Sequence, residues 1–465
     1  MIDIDLPIFD DMFHLDVPNF DNIVSQCKYY TIPTERPNIK DKFSIIHLNA
    51  RSFKNKFDDI QNLLAASGVD WSVICISETW LKTHQLPSYF IDGYNVFASC
   101  RENGEGGGSL MYVNKHYNVK ERRDLESKHI ETTFVELSIP CANNKSIIIG
   151  NIYRPPTFSH VLFHEYIAKL LDTLEGENKT VIIGGDFNYD LLNVKCDQHA
   201  HNFNSLLSSY NFLPTIFKPT RVQNAKQSLL DNFYINDLSF LDTSGVIIDD
   251  LSDHFEVFIS LIFKNIMDRK MEKQKIVFDN KNAPQFNQFL ISKLHNFQNH
   301  IDANEACNEL IQIYMEGIDK FSKICKSSSR KTAMKPWITP AILCSINKKN
   351  KLYKKFLRCP NTKNTNNYKR FRNTLTSVLR DAKRLFYEKS FEENKNDSKS
   401  TWRILNEVIN KRKINNNEPP STFHDSDGKV YVNSEVSDGF NFFFHRLALI
   451  WTNAFLPQTA APLTF

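Results

Sequence analysis

Eight polar side chains sit where short apolar runs of this chain end or begin. Asn49 closes the run from Phe43, Glu78 follows the run from Trp71 to Ser77, and Tyr153 closes the run from Ser146. Asp186 and Asn188 follow Val181 to Gly185, Asp231 stands within Ser228 to Tyr234, and Asp253 with His254 opens the run that reaches Phe263. A strand presents its end to the site that the next loop builds, so such side chains can converge. As a set they suit phosphodiester cleavage, which needs a divalent cation on a phosphate oxygen, an activated water and relief of negative charge. Glu78 is a hard oxygen ligand of the kind Mg2+ prefers, with Mn2+ as a substitute. Asp186 can orient or deprotonate water, Asn49 and Asn188 can donate amide hydrogens without adding charge, and Tyr153 can bond a phosphate. His254, protonated beside a carboxylate, can offset charge on the phosphorane oxygens, and either Asp231 or Asp253 can be that carboxylate. Any one of these residues alone reads more simply as a turn or cap. Eight of them spread over six strands do not.

The elements that must position them are legible as short apolar runs alternating with helical patterns. Strands are expected over 43–49, 71–77, 94–99, 109–113, 132–139, 146–153, 180–184, 229–235, 246–248 and 255–263. One helix is expected behind Ser52 as its cap, with Phe57, Ile60, Leu63 and Leu64 on one face, and others over 160–174 and 200–210. Many strands with few helices between them predict an α/β (α+β) fold, a two-sheet sandwich flanked by helices. Beyond Phe263 the strand signal stops, and a basic, mainly helical extension follows with long helices over 338–356 and 368–391. The expected division is an irregular acidic segment at 1–40, the sandwich at 41–265, a basic helical connector at 266–420 with a linker at 415–420, and a divergent tail at 421–465.

The formal net charge of +4 hides an asymmetry. Residues 323–413 hold 25 Lys and Arg against 6 Asp and Glu, which leaves −15 for the rest. Such a block fits a polyanionic partner, most simply nucleic acid, although a solvated helical hairpin would have the same composition. In its second long helix Tyr368, Phe371, Leu375, Val378, Ala382 and Leu385 recur at steps of three and four and read as a packing face. Lys383 and Arg384 are among the flanking charges expected to meet nucleic acid. No run of eighteen apolar residues is present, so no membrane span is expected, and the acidic N-terminus argues against a secretory signal. Nine cysteines, none in a CxxC pair, fit a reduced intracellular chain with mostly buried thiols. Cys196, His199 and His201 lie close together but lack a nearby fourth ligand for zinc.

In the order Asn49, Glu78, Tyr153, Asp186-Phe-Asn188, Asp231 and Ser252-Asp253-His254, the chain resembles the endonuclease/exonuclease/phosphatase superfamily, from about Asp41 to Lys264. The spellings Ser77-Glu-Thr-Trp80, Gly106-Gly-Gly-Ser-Leu-Met-Tyr-Val113, Tyr153-Arg-Pro-Pro156 and Lys218-Pro-Thr-Arg221 are similar to the endonuclease of non-LTR retrotransposons, the long interspersed elements. In that family the domain nicks DNA and the freed 3′-hydroxyl primes reverse transcription. The resemblance implies a two-sheet sandwich and a Mg2+-dependent DNA endonuclease. It implies metal binding by Glu78 with Asn49 and Asp253, and catalysis by Asp186, His254, Tyr153, Asn188, Asp231 and Asp253. It also implies nucleic-acid contacts through Tyr153, Arg154, Thr220 and Arg221. Such elements continue into a polymerase with a paired-aspartate turn, and no such turn follows the basic block here. The chain therefore reads as an element truncated before its reverse transcriptase, with 436–444 resembling the end of the connector and 445–465 departing from the family. DNA, and beside it element RNA, are the expected partners, and the basic runs at 348–355 and 411–413 fit a nuclear location. The alternatives are a member of the same fold acting on abasic sites or as a phosphatase, and a catalytically idle nucleic-acid-binding remnant.

Overall fold

The computed structural model describes residues 24–39, 42–139, 146–223, 226–263, 274–278, 280–294, 303–326, 335–408, 422–424 and 430–432. The chain divides into two compact units, Met1–Asn410 and Lys411–Phe465. In the second, the described residues form a hairpin of Thr422–His424 against Val430–Val432. The expected linker at 415–420, the basic run at 411–413 and the segments at 436–465 lie outside the described residues.

The sandwich of the first unit is built from β1 (Lys28–Tyr30), β2 (Phe43–Asn49), β3 (Val73–Ser77), β4 (Tyr94–Ser99), β5 (Ser109–Asn114), β6 (Asn118–Glu121), β7 (Glu131–Ser138), β8 (Ser146–Tyr153), β9 (Thr180–Asp186), β10 (Leu213–Pro214), β11 (Arg221–Gln223), β12 (Lys226–Ser228), β13 (Asp231–Ile235), β14 (Leu241–Ile247) and β15 (Glu256–Leu261). One sheet runs β1-β14-β15-β2-β3-β5-β4, the other β10-β13-β9-β8-β7-β6, and β11 and β12 form a hairpin. Helices α1 (Phe57–Ser67), α2 (His160–Glu175) and α3 (Gln198–Ser209) flank them.

Alternation along β2 shows how the layers are made. Ile45 joins the core cluster that links Val73, Cys75 and Met111 of the first sheet to Phe134, Ile149 and Phe233 of the second. Ile46 and Leu48 face the other way, into a second cluster with Ile74, Ile76 and Tyr112 beneath Phe57, Ile60, Leu63 and Leu64 of α1. Because side chains alternate across a strand, Asn49 shares the face of Ile45 and looks toward the other sheet. β2 and β3 are parallel and joined through α1, and β8 and β9 are parallel and joined through α2. The carboxyl ends of these four strands carry the site, the usual place for function in strand–helix–strand units.

Gly185, just before Asp186, holds β9 against β8. Its φ is +147°, and a Cβ there would lie 1.9 Å from the Ile152 carbonyl oxygen. Backbone cannot yield as a side chain can, so Gly185→Ala is expected to lower unfolding stability by about 3 kcal/mol or more. Denaturant midpoints measure this, and a loss under about 1 kcal/mol contradicts the packing described.

Several expectations are corrected. The acidic segment at 1–40 is not wholly irregular: β1 pairs in parallel with β14 at the edge of the first sheet, and Cys27, Ile32 and Ile39 are buried. Ser52 caps no helix. It has φ +83°, opens a short 3-10 turn at Phe53–Asn55, and α1 begins only at Phe57. The amides of Ser52 and Phe53 instead donate to the carbonyls of Glu78 and Thr79, tying this stretch to the site. Strand does return after Phe263: Gln274–Phe278 pairs with Ser322–Lys326, enclosing α4 (Ala283–Leu294) and α5 (Ala303–Phe321). The basic helices are α6 (Pro340–Arg358), α7 (Thr362–Glu393) and α8 (Ser398–Val408). Tyr353 of α6 and Tyr368 of α7 belong to the sandwich core cluster, so this part of the connector is packed onto the sandwich. Cys27 and Cys75 are buried, and Cys196, Cys344 and Cys359 are exposed. No helix among the described residues is long and apolar enough to cross a membrane.

Candidate active site

Register aligns the polar residues of the second sheet. Tyr153 pairs with Asp186 across β8 and β9, and Asp186 pairs with Asp231 across β9 and β13. Asn49 reaches across from the first sheet: its Nδ2 donates to Asp186 Oδ2 and to Glu78 Oε1, both at 2.8 Å. Its Oδ1 accepts from the Arg51 amide at 3.1 Å. Glu78, half-buried with φ +50°, also accepts from Trp80 Nε1 at 3.3 Å. Asn188, with φ +50° as well, donates its backbone amide to Asp186 Oδ1 at 3.1 Å and its side chain to the Arg154 carbonyl at 2.8 Å. Positive φ at Glu78 and Asn188 is strain that the surrounding bonds must hold.

Which carboxylate supports His254 is settled by distance. His254 Nδ1 lies 2.8 Å from Asp231 Oδ2 and 3.9 Å from Asp186 Oδ2. Thr220 Oγ1 donates to the same Asp231 oxygen at 2.7 Å. Burial opposes a charged imidazole, but Asp231 and Asp186 outweigh it and lift His254 to about 9. Asp186, fully buried and facing Asp231, is pushed up to about 7. Burial and the nearby Glu78 and Asp186 keep the Tyr153 phenol protonated by raising its pKa.

Asp253 stands apart from this chain. Its Oδ2 pairs with Arg51 Nη1 at 2.9 Å and Arg221 Nη2 at 2.5 Å. Burial would raise its pKa, but His254, Arg51 and Arg221 hold it at about 2. A carboxylate neutralised by two guanidinium groups is a poor cation ligand, so the expectation that Asp253 binds metal is corrected. It holds Arg51 and Arg221 together beside the site.

Of the expected nucleic-acid contacts, Arg154, Thr220 and Lys383 are held within the protein. Arg154 is 1% exposed; its guanidinium lies 4.4 Å from the Tyr189 ring centre and donates to the Phe158 carbonyl at 2.9 Å, so it braces the end of β8. Thr220 is fully buried on Asp231. Lys383 is ion-paired with Asp58 and lies over the Trp337 ring, while Arg384, although exposed, pairs with Asp381 and Glu388. Arg221 is partly exposed beside the site, where it holds Asp253. His199 stacks on His160 with ring centres 3.8 Å apart, and no zinc-like grouping of these residues occurs among the described residues.

Two residues beside the site were given no role by the sequence reading, although Trp80 closes the Ser77-Glu-Thr-Trp80 spelling. Arg51, with its side chain 53% exposed, and Trp80, 44% exposed, border Asn49 and Glu78. Their signal was adjacency: each lies two residues beyond a strand-end candidate.

Asp186, Asp231 and His254 come within 4.8 Å of one another. Asp231 Oδ2 and His254 Nδ1 are bonded to each other and both Asp186 oxygens accept from Asn49 and Asn188, so this triad suits holding a proton. Glu78 fits a hard divalent cation better, as a half-buried carboxylate fixed by Asn49 and Trp80 with lone pairs to spare.

The sequence model of the Endonuclease/Exonuclease/phosphatase family matches residues 46–254. That segment is a domain of this family. No curated protein sequence matches the chain. Among solved structures it is similar to the endonuclease domain of TRAS1, a telomere-specific non-LTR retrotransposon, at 17% identity, covering 47% of this chain and 98% of that one with a TM-score of 0.40. It is similar also to the 3′ phosphatase NExo from Neisseria bound to product DNA hairpin, at 14% identity over 48% and 100% of the chains with a TM-score of 0.38. An AP endonuclease from Archaeoglobus fulgidus is 13% identical over 48% and 100% of the chains, with a TM-score of 0.37.

Proposed function

We propose that this endonuclease/exonuclease/phosphatase family domain is a divalent-metal-dependent DNA endonuclease of the non-LTR retrotransposon kind. The observation that carries the hydrolytic reading is the bonded path from Glu78 through Asn49 to Asp186, beside His254 and Asp231. The retrotransposon kind is supported by the spellings Ser77-Glu-Thr-Trp80 and Tyr153-Arg-Pro-Pro156.

A divalent cation, Mg2+ or Mn2+, held by Glu78 beside Asn49 would supply Lewis-acid charge to a phosphate oxygen. Asp186, poised near neutrality, takes a proton from the attacking water, as a general base should at working pH. Asn49 and the Asn188 amide fix both its oxygens. Protonated His254, held by Asp231, offsets the charge that grows on the phosphate oxygens. Tyr153 keeps its proton and donates to the phosphate. Arg51 and Arg221 beside the site attract the backbone on either side of the cut.

The test is nicking of supercoiled plasmid by the full chain with Mg2+ or Mn2+, compared with abasic duplex and inositol phosphates. Nicked circles that vanish on chelation are expected. A folded chain that binds metal yet cuts no intact DNA overturns the proposal, and preferential cutting at abasic sites or of inositol phosphates reassigns the substrate.

A further inference from the structure

Between the sandwich and the basic helices lies a buried electrostatic lock that the proposed chemistry does not itself use. Lys349 of α6 is almost enclosed, and its Nζ is paired with Asp250 Oδ1. The other oxygen of Asp250 accepts from the Tyr368 hydroxyl of α7 at 2.7 Å. Asp249 is 8% exposed, Glu256 2% exposed, and Glu256 Oε2 has no hydrogen-bond partner among the described residues. Asp59 of α1 faces the same group. Burial opposes the Lys349 charge, but Asp249 and Asp250 outweigh it and raise its pKa, so the ammonium stays protonated. Glu256 is pushed well above its ordinary range, first by burial and then by Asp249 and Asp250. Lys56 and Lys383 act on this set from outside.

These acids bracket the segment that carries the site. Asp249 and Asp250 follow β14, Glu256 opens β15, and Asp253 with His254 lies between them. The segment is short and tightly bonded: Ser252 Oγ accepts from the His254 amide at 3.0 Å, and the Phe255 amide donates to the Thr220 carbonyl. Tyr353 of α6 meets the Phe255 ring edge-on at 6.5 Å. Asn350 Nδ2 donates to the Ile32 carbonyl at 3.1 Å, fastening α6 to the segment after β1 as well.

We infer that Lys349 is a positioning residue: seated among Asp59, Asp249, Asp250 and Glu256, it holds residues 249–254 in the shape that sets His254 against Asp231. Its effect on rate rests on the nuclease reading above; its effect on the loop does not. Without the ammonium, Asp249, Asp250 and Glu256 share a buried space with the exposed Asp59 at its edge, and a buried charge stripped of its partner is expelled or protonated at the expense of local structure. A shift of about 1 Å in a reacting group can cost on the order of 10²-fold in rate. The basic connector thereby acts on the site, through one lysine out of its many.

The full chain is compared with Lys349→Met, Lys349→Arg and the pair Lys349→Met/Asp250→Asn, which removes both halves of the bridge but leaves an acceptor for Tyr368. Two readouts are taken: plasmid nicking, and amide exchange over residues 249–254 without DNA. For Lys349→Met the expectation is a kcat lower by at least about tenfold, an unchanged KM for plasmid and faster exchange in the segment. Lys349→Arg and the paired variant return both to within about threefold of the parent, since removing both partners is far milder than removing one. A Lys349→Met protein that nicks normally with its loop protected, or a folded paired variant with no recovery, overturns the inference. If Lys349→Met does not fold, the paired variant decides alone, by folding and nicking or by folding without nicking. Loop loosening in Lys349→Met beside a parent that never nicks supports the lock and removes the nuclease reading instead.

Discussion

Asp186→Asn is expected to lose at least about 10³-fold in nicking rate while melting no lower than the parent at pH 8. The two halves have one cause. Asp186 is fully buried opposite Asp231, and its pKa is raised to about 7. A group whose folded pKa lies above its unfolded value of 3.8 contributes stability that is complete below that value and lost as pH rises through about 7. At pH 8 the ionised carboxylate is therefore a burden that the fold carries for its chemistry. Asparagine keeps the shape, still accepts from one of the two amides that hold Asp186, and removes the charge. The difference in melting temperature between variant and parent should grow in the variant's favour from pH 4 to pH 8. Single-turnover nicking and thermal melts across that range check both halves. A variant that melts several degrees below the parent at pH 8, or that nicks within tenfold of it, places the proton elsewhere.

How much of this could be seen in the sequence follows from what each feature depends on. Strand ends were legible because a polar residue interrupting an apolar run is a local event: β4 and β8 fall on their expected bounds, and Asn49, Glu78, Asp186 and Asn188 are joined by hydrogen bonds, as are Asp231 and His254. The partner of His254 was not legible, because it is fixed by the register of β13 on β9, which places Asp231 opposite Asp186. Ser52 failed as a cap since its amide is drawn to Glu78, a contact that no local pattern records. Arg154 and Lys383 were misread as free cations for a common reason: charge shows in a sequence, but burial and pairing do not. β1 was hidden by its brevity, three residues after an acidic stretch, and it is a strand only because β14 offers an edge. Lys349 is the extreme case, indistinguishable by type from the exposed lysines around it, and set apart only by its pairing with Asp250 and the charges of Asp249 and Asp59 nearby.

His254→Ala is expected to lower nicking by about 10³-fold, and the pH dependence should show why. Burial works against the imidazolium, but Asp231 and Asp186 raise its pKa to about 9, so the parent holds the proton throughout the neutral range. Its rate should fall on the alkaline side as pH rises through about 9, and on the acid side as Asp186 takes up its proton near 7. The sign for stability is the same: the folded pKa exceeds the unfolded 6.5, so the contribution of the Asp231–His254 pair is complete below 6.5 and lost as pH climbs through about 9. Asp231→Asn removes the nearer carboxylate, 2.8 Å away, and leaves Asp186 at 3.9 Å. In that variant the alkaline limb of the pH–rate profile should move toward neutrality, and activity lost at pH 8 should partly return at pH 6. Asp253→Asn, by contrast, should weaken plasmid binding more than it moves the limb, because Asp253 spends its charge on Arg51 and Arg221. An alkaline limb that stays in place in Asp231→Asn but shifts in Asp253→Asn would reverse the two assignments, and with them the account of how β13 loads the histidine.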